Sequence, residues 1–374
     1  MFKIITLLGT RPEIIKMSSV ISKLNKNFNH VVVHSGQNYD YELNKIFFED
    51  LDIKKPKHFL NVADKSLSKT IGNIIYKFDK ILEKEKPDAI VIYGDTNTSL
   101  GIIPAKRKKI PIFHLEAGNR CFDERVPEEL NRKIADHLSD INMVISDHAR
   151  NNLIREGIKP ETIFKIGSNM KEVIEKNKKK ILNSKILNKL RLIKNKYFLI
   201  SLHREENVDT EKKLSNIIRG LSEIQKKYKT KKIIVSLHPR TKNRMKKFKI
   251  SKNNKISYLK PFCFSDYINL QLNAFCTISD SGTIFEESSI LKIPSVTIRS
   301  ANERPEGMEN GVVVQSDANY KNLLNAIKIS VNNFDNKNFN VNDYNFDNVS
   351  DKVVKIISSH ISYVNEKVWF NNHN

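Results

Sequence analysis

The 374-residue sequence contains three cysteines, Cys121, Cys263 and Cys276. Three cysteines at irregular spacing predict neither a disulfide framework nor a zinc site, so no metal is expected. The sequence has no run of about 18 apolar residues, which argues against a membrane-spanning helix. Its first apolar stretch is short and is followed at once by Arg11 and Glu13, unlike a signal peptide. We therefore expect a cytoplasmic protein with no membrane partner.

Acidic residues are fewer than basic ones, with 42 Asp and Glu against 64 Lys and Arg, which gives a net charge of +22. A strongly basic chain is a candidate for nucleic-acid binding. The lysines are nevertheless scattered through most predicted helices and loops, and no interleaving of basic and aromatic residues marks a stacking surface. We therefore predict no nucleic-acid partner, and we expect the positive field to attract an anionic small substrate.

The glycine-rich sequence motifs that bind common nucleotide cofactors are also missing. The turn at Gly9, within GTRPE, lacks the second and third glycines of GxGxxG, and no Walker A loop occurs. These absences disfavour NAD and ATP, so no cofactor is predicted. The chain is long for a single core, which favours two domains.

Apolar strand-like runs alternate with helical patterns, which predicts an α/β fold with two doubly wound, Rossmann-like parallel-sheet domains. In the first half we predict strands near 2–8, 30–34, 89–93, 111–115, 142–146 and 162–166, and helices near 12–24, 66–86, 97–107, 126–138 and 147–156. In the second half we predict strands near 197–202, 231–237, 256–259, 275–279 and 294–298, and helices near 210–228, 264–273, 283–291, 319–331 and 349–367. The predicted domains are 1–170 and 197–348, with a helix and linker at 171–196 and a C-terminal helix and tail at 349–374.

The segment Gly9-Thr10-Arg11-Pro12-Glu13 is predicted to turn from a buried strand into a helix. Gly9 permits a sharp turn and Pro12 suits the first helical turn. Arg11 then stands at the positive end of the helix, where a phosphate can bind. Many α/β proteins begin in this way without binding phosphate, so both interpretations remain open.

Four titratable residues each follow an apolar strand: Asp95, Glu116, His203 and His238. Side chains at the carboxyl ends of parallel strands line the ligand crevice of such folds. One such residue is more often a cap or a turn residue. Four together indicate a site.

Helix starts supply further candidates. Glu128 lies in PEE at the start of a predicted helix, where acidic residues are favoured whatever the function. Asp280-Ser281-Gly282-Thr283 closes a strand and opens a helix, which is typical of a phosphate-binding turn, although Asp280 or Ser281 could instead cap that helix. Arg304, on a later loop, could clamp a diphosphate. Phosphate-binding turns together with carboxylates and a histidine suit an enzyme that acts on a nucleotide sugar.

Several strings in this order resemble the non-hydrolysing UDP-N-acetylglucosamine 2-epimerases: GTRPE with Lys16, GDTNT, H-x-EAG, PEE, HREEN, and DSGTIFEE with ERPE. The strings HLEAGNRCFD and GSNM look closer to the branch of UDP-2-acetamido-2,6-dideoxy-L-talose 2-epimerases, which make UDP-N-acetyl-L-fucosamine. This resemblance implies two domains facing across a cleft in the GT-B arrangement, usually a homodimer, with a UDP-activated N-acetyl sugar as substrate. It also implies a role in supplying surface polysaccharide such as capsule or O-antigen.

The resemblance also implies roles for individual residues. The family's active-site positions fall on Arg11, Lys16, Asp95, Glu116, Glu128 and His203. Its UDP-binding positions fall on Ser281, Gly282, Thr283, Glu287 and Arg304, with Phe262 and Tyr267 near the uracil, where the general branch looks to have Gln and Phe. GQNYDYE, after His34 and Ser35, and Glu205 in HREEN depart from the general pattern, which puts allosteric control by UDP-N-acetylglucosamine in doubt.

The chemistry requires elimination and re-addition. The proton on carbon 2 of an N-acetyl sugar is not adjacent to a carbonyl carbon, so we expect loss of UDP to give a 2-acetamidoglycal before reprotonation on the other face. Asp95, Glu116 and Glu128 are the candidates for proton transfer, while His203 and Arg11 are assigned to the leaving group. The alternatives are a hydrolysing 2-epimerase, a GT-B glycosyltransferase and a non-catalytic nucleotide-sugar sensor. Between substrates, the variant strings favour the 6-deoxy-L sugar.

Overall fold

The computed structural model describes residues 1–37, 41–334 and 340–371, with the backbone alone for residues 41–45. Contacts divide the chain into two compact units. Unit 1 comprises Met1–Lys176 and Asn345–Asn374, and unit 2 comprises Asn177–Tyr344. The C-terminal segment therefore belongs with the N-terminal one.

A parallel sheet forms the centre of unit 1. Its described strands are β1 (Lys3–Leu8), β2 (Asn29–His34), β3 (His58–Phe59), β4 (Ala89–Tyr93), β5 (Ile112–Ala117), β6 (Ile141–Val144) and β7 (Ile163–Lys165). They lie in the order β3-β2-β1-β4-β5-β6-β7, and each neighbouring pair is parallel. The helices that accompany them are α1 (Arg11–Asn27), α2 (Tyr41–Asp50), α3 (Leu67–Glu85), α4 (Ile102–Arg107), α5 (Pro127–Leu138), α6 (Asp147–Arg155) and α7 (Met170–Lys176).

The helices form where apolar residues recur at helical spacing next to a capping residue. In α3, the Ser66 side chain accepts the backbone N–H of Lys69, and Ile74, Phe78 and Leu82 form a buried stripe. That stripe packs against a core that includes the fully buried side chains of β4, which accounts for the continuous apolar sequence of this strand.

Unit 2 repeats the same architecture. Its helices are α8 (Lys178–Leu182), α9 (Ile186–Lys189), α10 (Glu205–Val208), α11 (Glu211–Lys227), α12 (Pro239–Lys247), α13 (Phe264–Asn273), α14 (Ile284–Leu291), α15 (Pro305–Glu309) and α16 (Tyr320–Asn332). Its strands are β8 (Tyr197–Leu202), β9 (Lys232–Leu237), β10 (Ile256–Leu259), β11 (Cys276–Ser279), β12 (Ser295–Ile298) and β13 (Val314–Ser316), in the parallel order β10-β9-β8-β11-β12-β13.

In each sheet the chain runs outward from the first strand and then returns to that strand's other side. The reversal falls between β1 and β4 in unit 1 and between β8 and β11 in unit 2. Such a topological switch point opens a crevice at the carboxyl ends of the strands, where α/β proteins bind ligands.

The last helix, α17 (Val349–Lys367), packs on unit 1. Its Asp351 pairs with Lys23 of α1 at 2.6 Å, and the backbone N–H of Ser350 donates to Glu172 at 2.9 Å. The apolar side of α17, which includes Val353 and Ile357, is buried. The last helix thus extends the core of the first sheet domain.

The predicted pair of Rossmann-like parallel-sheet domains is confirmed. Most of the strands and helices that the pattern predicts are found with small shifts at their ends, while α2, β3, α10, α12, α15 and β13 were missed. The helix predicted at 97–107 is an α-helix only over Ile102–Arg107, because Asn97–Gly101 form a 3-10 helix. In α12 the buried residues are Thr241 and Met245, too few for an apolar stripe, and β3 and β13 are very short. Residues 171–196, assigned to a helix and linker, contain most of α7 together with α8 and α9.

None of the helices in the described part of the chain combines the length and apolarity needed to span a bilayer.

Candidate functional site

The turn after β1 is built around a close approach of three loops. A Cβ atom at Gly9 would lie 2.0 Å from Ser35 Oγ and 2.2 Å from Thr98 Oγ1, so only glycine fits here. The N–H groups of Gly9 and Thr10 donate to Glu13 Oε2 at 2.5 and 3.1 Å. These two backbone amides are therefore engaged by a carboxylate of the protein. Arg11 stays the candidate for phosphate binding at this turn.

Glu13 is a residue that our sequence analysis did not single out. Its side chain is 3% exposed, and its Oε1 accepts the Thr96 hydroxyl at 2.5 Å. Burial raises the pKa of Glu13 to about 7, against the opposing effect of hydrogen bonds from Thr96 and Gly9. The spacing Thr10-x-x-Glu13 is a capping-box pattern, which could have pointed to this residue.

Lys16 and Glu116 form an ion pair at the carboxyl ends of the central strands. Lys16 is 1% exposed, and its Nζ lies 3.4 Å from Glu116 Oε2 and 5.5 Å from the centre of the Tyr93 ring. Glu116 adopts a left-handed backbone conformation, with φ of +66°, at an irregularity in the pairing of β5 with β6. Backbone strain of this kind occurs often at active sites, where surrounding contacts hold a side chain in place.

Asp95 is clamped by a buried arginine that sequence reasoning missed. Arg132 Nε and Nη2 both lie 2.8 Å from Asp95 Oδ2, and Arg132 Nη1 lies 2.6 Å from Glu129 Oε2. Arg132 and Glu129 are one turn apart on α5, so this helix fixes the Asp95 carboxylate. Nothing in the sequence pattern singled out Arg132.

The two glutamates of PEE have different surroundings. The Glu129 carboxylate accepts the backbone N–H groups of Cys121 at 3.2 Å and Phe122 at 3.0 Å. Burial alone would raise its pKa, but the hydrogen bonds from Cys121 and Arg132 outweigh burial and lower it. Glu128 is half-buried in the first turn of α5. Glu129 therefore holds the loop, while Glu128 stays the candidate for proton transfer.

The HLEAGNR segment is anchored to α5 by Asp136. His114 Nδ1 lies 2.9 Å from Asp136 Oδ1, and Arg120 Nη1 lies 2.7 Å from Asp136 Oδ2. Burial would raise the pKa of Asp136, but the His114 and Arg120 contacts lower it overall. A Cβ atom at Gly118 would lie 2.4 Å from the Ala149 carbonyl oxygen, so the segment also requires glycine there. These contacts fix the strand end that presents Glu116.

In unit 2 a single carboxylate organises the turn after β8. Asp280 accepts the backbone N–H groups of His203 and Arg204 at 3.0 and 2.9 Å, and the Asn207 side-chain amide at 3.1 Å. Burial raises the pKa of Asp280, although these hydrogen bonds act in the opposite direction. The Asp280 carboxylate does not cap the next helix, an alternative that the sequence left open, because it holds the neighbouring turn.

The two histidines at strand ends differ in their roles. His203 Nδ1 lies 3.3 Å from Asp280 Oδ1, and its ring centre is 5.3 Å from that of His238. His238 Nδ1 accepts the backbone N–H of Arg240 at 3.2 Å and so caps α12. The capping alternative therefore applies to His238, and His203 remains the candidate for the site.

The turn Ser281-Gly282-Thr283 precedes α14 and is partly exposed. Ser281 Oγ and Thr283 Oγ1 lie 3.0 Å apart. A Cβ atom at Gly282 would lie 2.6 Å from Glu303 Oε1, so the ERPE segment approaches this turn closely. Glu303 in turn contacts Arg204 Nη2 at 3.3 Å. The HREEN, DSGT and ERPE segments thus meet at one place in unit 2.

Arg304 is more deeply enclosed than a loop position suggests. Its side chain is 2% exposed, and Nη2 lies 3.9 Å from Glu286 Oε2. Glu306 is also buried and accepts the Tyr344 hydroxyl at 2.8 Å. Glu287, one residue beyond Glu286, accepts the Gln271 side-chain amide at 2.6 Å. The guanidinium thus lies near two buried carboxylates, those of Glu286 and Glu306.

Phe262 and Tyr267 are both half-buried and pack against one cluster of apolar side chains that includes Leu199, Ile234 and Leu270. This packing holds the exposed faces of the two rings in a defined position. In the GQNYDYE segment, Asn38, Tyr39 and Asp40 lie outside the described residues. Within the described chain, no cluster of His, Cys, Asp and Glu has the arrangement of a metal site.

Two parallel sheets with charged side chains gathered at their switch points define a doubly wound α/β protein of the class that binds ligands at the carboxyl ends of its strands. A sequence model of the family described as UDP-N-acetylglucosamine 2-epimerase matches residues 22–358. A UDP-N-acetylglucosamine 2-epimerase of Methanocaldococcus jannaschii is 40% identical over 339 residues, which cover 88% of this chain and 92% of the relative. This chain belongs to the UDP-N-acetylglucosamine 2-epimerase family, so the predicted family and the predicted enzyme class, an isomerase, are confirmed.

Solved structures agree with this assignment. The structure of UDP-N-acetylglucosamine 2-epimerase from Rickettsia bellii is similar with a TM-score of 0.91 at 49% identity, covering 99% of this chain and 100% of that one. The crystal structure of the Methanocaldococcus jannaschii enzyme in complex with UDP-GlcNAc and UDP is similar with a TM-score of 0.88 at 37% identity, covering 96% of this chain and 99% of that one.

Proposed function

We propose that this protein is a non-hydrolysing 2-epimerase of a UDP-activated 2-acetamido sugar. The observation that carries the proposal is the pair of carboxylates at the ends of adjacent strands β4 and β5, each with a buried cation: Asp95 with Arg132, and Glu116 with Lys16. Carboxylates held in this way can transfer protons without changing position. The relative solved with UDP-GlcNAc and UDP supports the substrate class.

The proposed reaction begins with the loss of UDP. The C1–O bond breaks with its electron pair going to the UDP oxygen, while a carboxylate removes the carbon-2 proton and the C1–C2 double bond of a glycal forms. An acid then delivers a proton to carbon 2 from the opposite face, and UDP adds back at carbon 1. Asp95, Glu116 and Glu128 are the proposed proton-transfer groups. The Lys16 ammonium offers a counter-charge to the Glu116 carboxylate.

The residues proposed to hold UDP lie mainly in unit 2. The turn Ser281-Gly282-Thr283 at the start of α14 suits a phosphate, because a helix amino end is positive. The other proposed UDP-binding residues of unit 2 are Phe262, Tyr267, Glu287 and Arg304. His203, and Arg11 of unit 1, are proposed to stabilise the charge of the departing diphosphate. The protein is further proposed to act as a homodimer, which light scattering of the purified protein would test.

Two substrates are candidates. The names of the relatives support the interconversion of UDP-N-acetylglucosamine and UDP-N-acetylmannosamine. The second candidate is UDP-2-acetamido-2,6-dideoxy-L-talose, favoured by the HLEAGNRCFD and GSNM strings, the first of which contains Cys121 and Phe122. A pocket lined by apolar side chains would suit the 6-methyl group of this sugar, because a hydroxyl buried there without a partner costs about 1–3 kcal/mol.

Nuclear magnetic resonance of the products tests the proposal with both sugars in parallel. We expect an intact nucleotide sugar with inverted carbon 2, at comparable concentrations with and without added NAD. Free N-acetylmannosamine plus UDP would instead support a hydrolysing 2-epimerase. The substrate with the higher kcat/KM identifies the branch: faster turnover of UDP-N-acetylglucosamine would contradict the 6-deoxy preference.

A further inference from the structure

One buried side chain links the two loops that carry Arg11 and Asp95. Glu13 Oε2 accepts the N–H groups of Gly9 and Thr10, the latter directly before Arg11. Glu13 Oε1 accepts the hydroxyl of Thr96, directly after Asp95. Glu13 therefore spans the switch point between β1 and β4.

Capping of α1 does not explain this arrangement. A capping box requires one bond from the glutamate back to the Thr10 amide, whereas Glu13 Oε1 reaches out of the helix to the loop after a different strand. A buried carboxylate also carries a desolvation cost, which is why burial raises the pKa of Glu13 to about 7. A glutamine could cap the helix at a lower cost. The bond to Thr96 is the contact that capping leaves unexplained.

The surroundings leave these loops little room to adjust. Ser35 Oγ and Thr98 Oγ1 lie 2.8 Å apart and both press against Gly9. On its other side, Asp95 is held by the Arg132 guanidinium. A shift of Thr96 is therefore passed to Asp95, since no flexible segment separates them.

We propose that Glu13 is a positioning residue for the epimerase reaction, holding the Arg11 turn and the Asp95 loop at a fixed spacing through its two carboxylate oxygens. This inference rests on the proposed function. Glu13 itself is buried beneath the two loops and acts through them. Small displacements of catalytic groups are costly, because a shift of about 1 Å can lower a rate by about 100-fold.

Variants of Glu13 separate the effect of its hydrogen bonds from the effect of its charge. Glu13→Ala removes all three hydrogen bonds, and we expect kcat to fall by about 10- to 100-fold with a smaller change in KM. Glu13→Gln can still accept the two amides with Oε1 and can donate from Nε2 to the Thr96 oxygen. We therefore expect Glu13→Gln to recover most of the lost kcat.

Variants of Thr96 test the bridge without disturbing the start of α1. Thr96→Val removes the hydroxyl, with its bonds to Glu13 Oε1 and from the Thr98 N–H. It leaves both bonds to Glu13 Oε2, so the fold is expected to survive even if Glu13→Ala does not fold. We expect Thr96→Val to lower kcat and Thr96→Ser, which keeps the hydroxyl, to restore it. If the bond between Thr96 and Glu13 were only structural, Thr96→Val would lower the melting temperature, but kcat would not fall in Thr96→Val and recover in Thr96→Ser.

Glu85 offers a matched control in the same unit. It is a buried carboxylate that contacts Lys3, Lys57 and His58 near the amino ends of β1 and β3, at the opposite edge of the sheet. Glu85→Gln is expected to lower the melting temperature while leaving kcat and KM unchanged.

Steady-state kinetics of this set, beside melting temperatures, decides the inference. Low kcat for Thr96→Val and for folded Glu13→Ala, with recovery in Thr96→Ser and Glu13→Gln, would support it. A wild-type kcat in Thr96→Val would overturn the positioning role of Glu13 but not the proposed function. A kcat for Glu13→Gln as low as that for Glu13→Ala would do the same. A wild-type enzyme that turns over neither UDP sugar would overturn the proposed function, and this inference with it.

Discussion

The Asp280 carboxylate lies 3.0 Å from the backbone nitrogen of His203, so a side chain after one central strand holds the turn after the other. Unit 1 has a counterpart, because Glu13, after β1, holds Thr96, after β4. In both units a buried carboxylate crosses the point where the strand order reverses. Ligand-binding turns at a switch point come from strands far apart in sequence, and these carboxylates fix their relative positions.

Replacing Asp280 should disorder the turn that carries His203. In Asp280→Asn one oxygen becomes an amide that donates toward the Arg204 N–H or the Asn207 amide, both already donors. We expect a loss of about 1–3 kcal/mol in the free energy of unfolding, together with weaker UDP binding. Denaturant unfolding and calorimetry measure the two effects. Unchanged UDP affinity would contradict a role for this turn in binding.

The three carboxylates assigned to proton transfer should be needed for turnover. We expect Glu116→Gln, Glu128→Gln and Asp95→Asn each to lose about 10²–10⁴-fold in kcat with the fold intact. Glu129→Gln is the matched control for Glu128→Gln, since Glu129 holds Cys121 and Phe122; it should lower the melting temperature more than Glu128→Gln does. Wild-type turnover in all three carboxylate variants would return these residues to the capping and turn roles.

The two arginines assigned to UDP should differ in their effect on stability. Arg11→Ala and Arg304→Ala should each weaken UDP binding by about 1.5–3 kcal/mol, because each loses a charge-assisted contact. Arg304→Ala should also lower the melting temperature, since it removes a cation beside the buried carboxylates of Glu286 and Glu306. Titration calorimetry on folded protein provides the test, and wild-type affinity in both variants would contradict the assignment.

Glu13 should make the stability of the protein depend on pH. Its pKa of about 7 in the folded state lies above its ordinary value of 4.5, because it is buried. The folded state therefore holds the proton more tightly, and its contribution to stability is present below pH 4.5 and is lost as pH rises through 7. The glutamine of Glu13→Gln stays neutral, so this variant does not lose stability in this way as pH rises.

The measurement is the melting temperature of wild type and Glu13→Gln across this pH range. The melting temperature of Glu13→Gln should rise relative to that of the wild type as pH increases from about 5 to about 8. The comparison cancels the groups that do not interact with Glu13, so a difference in melting temperature that stays constant with pH would contradict titration of Glu13 in this range.

The sequence predicted the sheet domains and the positions of Asp95, Glu116 and His203, because buried parallel strands are continuous apolar runs and their ends are marked by polar residues. It could not predict the Arg132 clamp on Asp95, since the contact joins α5 to a loop 37 residues earlier and no local pattern encodes it. The same reason applies to Asp280, whose partners lie more than 70 residues away. Long-range hydrogen bonds that tie one strand end to another become visible only in the fold.

The incorporation of solvent hydrogen tests the proposed mechanism most directly. If UDP leaves and adds back, the new hydrogen on carbon 2 must come from an enzyme acid that exchanges with water. In D₂O, the product should carry deuterium at carbon 2 while the other ring positions keep protium, as read by proton resonance and mass spectrometry. Product that fully retains protium at carbon 2 would contradict elimination and re-addition.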